Sequence, residues 1–192
     1  LRTHLAELLR RLSADPAAVT TTDPRTGVSR SVRITRDEFA VALRGFLYVA
    51  TLASAVPLVI ERAYAGDFGP FLALGQAVAG WSMETMSLGM TRSVLCSEDL
   101  PRIGDHEIDD ATRGTTVGAA EVALWKASCA PWPRASVPAD ASTPVRFDGP
   151  VLLLSGDLDP VVPPQWAEEV RTTMPRARHL IAPGVGHNVT PA

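Results

Sequence analysis

The chain of 192 residues is 46% hydrophobic and 20% charged with a formal net charge of −3, which suits one globular domain with a sizeable core. A pI near 5.8 gives no electrostatic case for a nucleic-acid partner. The densest apolar run, Phe46 to Ile60, is shorter than the roughly 20 residues of a membrane span and is closed by Glu61 and Arg62, so no membrane span is expected.

In chain order, Leu5, Leu8, Leu9 and Leu12 recur at helical spacing, and Asp15-Pro16 ends that first helix. The chain opens inside this pattern, on Leu1 and without an initiator methionine, and reads as lacking an upstream part. Residues 17–34 are rich in Thr and Val around Asp23-Pro24-Arg25-Thr26-Gly27, which predicts a β-hairpin. Thr35 followed by Glu38 has the capping-box spacing for a helix from about Arg36, carrying Phe39, Leu43 and Phe46. Pro57 and Gly66-Asp67-Phe68-Gly69-Pro70 punctuate two more helices, and residues 71–85 read as a fourth segment. Residues 93–99 form a short apolar segment ending in acid. Residues 104–128 turn from polar to helical, and 129–148 form a proline-rich connector.

The remaining chain changes character. Val151-Leu152-Leu153-Leu154, between Gly149-Pro150 and Ser155-Gly156, suits a strand covered on both faces. Pro163 and Pro164 can open a helix because a missing N–H costs nothing there, and Pro175 stops it. His179 to Ala182 is the next strand, parallel to the first through a right-handed crossover. Two parallel strands do not make a stable sheet alone, so further strands are expected in an upstream part.

This unit places Asp159 and His187 at the carboxyl ends of neighbouring parallel strands, the edge where open α/β sheets carry their sites. A carboxylate held by a turn can orient an imidazole and stabilise its protonated form. Read singly, Asp159 is also a turn carboxylate capping the next helix, a role for which Asp157 competes, and His187 a surface-loop histidine. The order and spacing of the two favour the catalytic reading. A metal site from His179, His187 and Asp159 is poor: His179 belongs to a strand, and no HxH or HxxxH spacing occurs. No Gly-rich phosphate loop is present, and no cofactor is implied. Cys96 and Cys129 fit either one disulfide in an exported protein or two unrelated buried thiols.

GDLDPVVPP followed by APGVGH resembles the acid and histidine segments of α/β-hydrolases, whose triad runs in the order serine, acid, histidine. SVLCSEDLPRI and then Cys129-Ala130-Pro131-Trp132-Pro133 narrow the resemblance to tripeptidyl aminopeptidase-like and proline iminopeptidase-like serine peptidases. The resemblance implies an α/β fold: an α/β-hydrolase C-terminal part, with a mostly helical cap and connector over 1–148. The last strand-helix-strand of a parallel sheet would then occupy 149–192. It implies Asp159 as triad acid, His187 as general base, and a Cys96–Cys129 disulfide. Glu98 becomes a candidate for binding a substrate's free α-amine, against the plainer reading of an exposed acid pairing with Arg102.

One departure bears on activity. No G-x-S-x-G occurs; Gly80-Trp81-Ser82-Met83-Glu84 comes closest but lacks the last glycine, and Ser155 stands on the wrong element. The nucleophile is therefore expected outside this chain, which by itself would be inactive. The resemblance implies a secreted or periplasmic bacterial exopeptidase acting on peptides or small amides. A carboxylic-ester hydrolase of the same fold and a non-catalytic binding module are the rivals.

Overall fold

The computed structural model describes residues 1–23 and 26–189, with the side chains of 81–85 left out. Pro24 and Arg25 of the hairpin turn, and the side chain of Ser82, thus lie outside the described residues. The chain forms two compact units. The first comprises Leu1–Leu43 with Pro57–Val137, and the second Arg44–Val56 with Pro138–Ala192.

In the first unit, α1 (Arg2–Ala14) buries Leu8 and Leu12, two of its four helically spaced leucines. Strands β1 (Ala17–Thr22) and β2 (Ser29–Ile34) pair antiparallel with Val19 opposite Val32. Their turn is closed by the Asp23 N–H on the Val28 carbonyl at 2.9 Å. Helix α2 (Arg36–Phe46) starts with the expected capping box: the Thr35 N–H donates to Glu38 Oε2 at 2.8 Å and the Glu38 N–H to Thr35 Oγ1 at 3.2 Å. Phe39 is fully buried, stacked on Phe71 with centroids 4.7 Å apart and edge-on to Phe68. After the short α3 (Ala50–Ala53), which belongs to the second unit, α4 (Val56–Tyr64) buries Val59, Ile60 and Ala63, and α5 (Gly69–Thr85) follows.

The acid-ended segment is helical. Helix α6 (Leu88–Val94) runs into a π-helical turn over Leu95–Asp99, then α7 (Asp105–Thr112) and α8 (Ala120–Cys129). Cys96 in the π turn and Cys129 at the end of α8 are both buried and joined as a disulfide. Ends 33 residues apart make that link worth about 3–4 kcal/mol on the chain-entropy view. Among the described residues, no helix is long and apolar enough to cross a membrane.

The second unit holds β3 (Val151–Gly156), α9 (Pro164–Arg171) and β4 (Ala177–Ala182). The two strands are parallel, with Leu152 opposite Arg178 and Leu154 opposite Leu180, and α9 packs on both. Side chains alternate across a strand, so Leu153, Ser155 and His179 share the α9 side while Leu152, Leu154 and Leu180 point the other way. Coverage on both faces is not what the structure shows. Leu152, Leu154 and Leu180, on the side away from α9, are 59%, 46% and 58% exposed. The continuous apolar run belongs to a strand with one face bare.

Candidate active site

The loops that leave β3 and β4 are laced together through their backbones. The Asp157 N–H donates to the Ala182 carbonyl at 3.2 Å and the Leu158 N–H to the Val185 carbonyl at 3.0 Å. Asp157 caps no helix; its carboxylate accepts the Gly184 N–H at 2.7 Å and so holds the loop that carries the histidine. This contact joins residues 27 apart, and no spacing rule in the sequence singles it out. Gly156 is required here, since a Cβ would land on the carbonyls of Gly186 and Val185.

Asp159 sits in the turn between β3 and α9 with its side chain only 6% exposed. Its Oδ1 accepts the N–H of Val161 at 2.8 Å and of Val162 at 3.0 Å, an Asx turn that fixes the carboxylate from below. His187 meets it from the β4 loop: Nδ1 lies 3.0 Å from Oδ2 and 3.2 Å from Oδ1. Burial pushes the Asp159 carboxyl up, but the amides of Val162 and Val161 and the His187 ring outweigh it and hold it below the usual carboxylate range. The group is an anion placed against the ring. An ionised acid on Nδ1 selects the tautomer with the proton there and leaves Nε2 as the basic nitrogen. Among the described residues Nε2 has no hydrogen-bond partner, and the side chain is 37% exposed.

A third segment of the same unit supports the histidine. The His187 N–H donates to the Tyr48 carbonyl at 3.1 Å, and the Tyr48 ring stands edge-on to the imidazole with centroids 5.3 Å apart. Gly186 again matters for close approach: a Cβ there would lie 2.8 Å from the Tyr48 carbonyl oxygen. Tyr48, in the loop after α2, carries no catalytic pattern in the sequence.

Residues 115–192 match the family model described as TAP-like protein. The match is consistent with the C-terminal portion of an α/β-hydrolase of the tripeptidyl aminopeptidase-like kind, and it supports a hydrolase-fold protein of that superfamily. No curated protein and no solved structure matches the chain.

The TAP-like segment contains both Asp159 and His187, and the structure brings them together. It also contains Cys129, whose partner Cys96 lies upstream of the match. Glu98, in the first unit, is exposed, and its carboxylate forms no ion pair among the described residues. The expected Glu98–Arg102 side-chain pair is replaced: Arg102 Nε donates to the Glu98 backbone carbonyl at 2.7 Å and Nη2 to Asp99 Oδ1 at 3.3 Å. The π-helical turn brings the carbonyl, and not the carboxylate, of Glu98 under the guanidinium.

Proposed function

We propose that this chain supplies the acid and the base of a serine exopeptidase of the α/β-hydrolase superfamily. One observation carries the reading: an anionic Asp159 fixed on His187 Nδ1, with Nε2 unpartnered among the described residues, inside the TAP-like segment. The serine comes from a stretch of hydrolase chain not contained in these 192 residues, which have no G-x-S-x-G. His187 Nε2 takes the serine proton as the oxygen attacks the scissile carbonyl. The imidazolium, paired with Asp159, then returns that proton to the leaving amine. Water repeats the cycle on the acyl-enzyme and releases the acid product. Exposed Glu98 is the candidate partner for a substrate's free α-amine, and the disulfide suits an exported, secreted or periplasmic protein.

A substrate panel on the hydrolase containing this chain tests the reading. Aminoacyl and peptidyl anilides with a free amine should turn over, N-acetylated versions should be slower by at least about tenfold, and fluorophosphonate should block both. Turnover of p-nitrophenyl esters alone, indifferent to the amine, would replace the peptidase with a carboxylic-ester hydrolase. Inertness toward every substrate and the probe would leave a binding module.

A further inference from the structure

His179, which no catalytic reading uses, is the most enclosed histidine of the second unit. Its side chain is only 2% exposed. Nε2 lies 2.9 Å from Ser155 Oγ on β3, and Nδ1 lies 2.6 Å from Glu168 Oε1 on α9. One tautomer satisfies every group: the Ser155 hydroxyl donates to Nε2, and Nδ1–H donates to the Glu168 carboxylate. Serine, histidine and acid here have the atom order of a nucleophile relay. Ser155 is only 6% exposed, however, and a substrate carbonyl has no approach to it. The arrangement is an anchor, and it ties one helix to two strands.

Its placement gives it a consequence at the catalytic pair. The segment from Asp159 through α9 is joined to the segment from β4 through His187 twice, each time by a histidine Nδ1 on a carboxylate. One joint is His179–Glu168 and the other His187–Asp159. The two are mechanically connected. Asp159 Oδ1 holds the amides of Val161 and Val162, which lead directly into α9, and Glu168 is on that helix. His179 is on β4, which leads directly into the loop of His187. The Ser155 bond fixes the near end of the seven-residue loop 157–163 that carries Asp159, and the Glu168 bond fixes the helix at its far end. The His179 bond first, against burial and with Arg171 adding, holds the Glu168 carboxyl below its usual range, as an occupied charge-assisted bond requires.

We propose that His179, bridging Ser155 and Glu168, is a positioning residue that sets the Asp159–His187 contact. Its catalytic meaning rests on the reading of Asp159 and His187 as acid and base; the coupling between the two joints does not. The test therefore reads a proton and no turnover. In the 15N-labelled protein, the His187 Nδ1 proton held by Asp159 is identified by its disappearance in His187→Ala, and its exchange with water is measured. Loosening the second joint should speed that exchange by about tenfold in both Glu168→Ala and His179→Leu, the scale of one lost charge-assisted hydrogen bond. Glu168 is on an exposed helix face, 48% accessible, so its variant reads the coupling even where His179→Leu folds poorly. Glu169→Ala, one residue along the same helix, should leave the rate at the wild-type value. An unchanged rate in Glu168→Ala, or equal acceleration by Glu169→Ala, would overturn the proposal.

Discussion

At the scale of residues, Asp159 is more heavily satisfied than a bare turn carboxylate. Two backbone amides and one imidazole converge on it, and together they outweigh the burial that would otherwise protonate it. Since the folded state holds the carboxyl below its unfolded value of about 3.9, its ionisation stabilises the fold above that pH. The contribution is lost as pH falls through the lower folded value. Thermal unfolding followed downward from pH 5 should therefore show a steeper acid-side loss in the wild type than in Asp159→Asn; parallel curves would mean the carboxylate is not held as described. The meeting of Asp159 and His187 was legible because a strand, a Gly- or Pro-marked turn and a polar tip recur in both segments. The role of Asp157 was not. Its acceptor function depends on a loop-to-loop contact that only the folded pair of strands creates.

Elements place these side chains with little slack. The helix start at Thr35, the hairpin and the β3–α9–β4 crossover follow local rules of capping, turn chemistry and apolar runs, and all three stand in the structure. What local rules missed is contact across sequence: the bare sheet face, the π-helical turn at Cys96, and Tyr48 behind His187. An apolar run looks the same whether one or both faces are covered, so its composition could not reveal the exposure of Leu152 and Leu154. Close backbone approach is the element-scale constraint on the Asp159–His187 contact. Gly156→Ala would drive its methyl into the Val185 and Gly186 carbonyls and push the histidine loop from β3. We expect a loss of about 1–3 kcal/mol in stability, the usual range for overpacking, together with a kcat that falls more than KM rises. A variant with wild-type kcat and unfolding midpoint would show that the two loops are not in the close contact described.

At the scale of the whole molecule, the first unit is stapled by Cys96–Cys129 and filled by aromatic packing around Phe39, while the second is a small α/β unit whose strands lead to the Asp159–His187 contact. Leu152, Leu154 and Leu180 form an exposed apolar sheet face. The central claim is that Asp159 and His187 are the acid and base of one catalytic mechanism. Steady-state kinetics of Asp159→Asn and His187→Ala in the hydrolase containing this chain tests it most directly. Each should lower kcat by roughly 10⁴ with KM little changed, and the double variant should lose scarcely more than either alone, because the two act as a unit. Near-normal turnover in either single variant would contradict the claim, as would losses that simply multiply in the double variant.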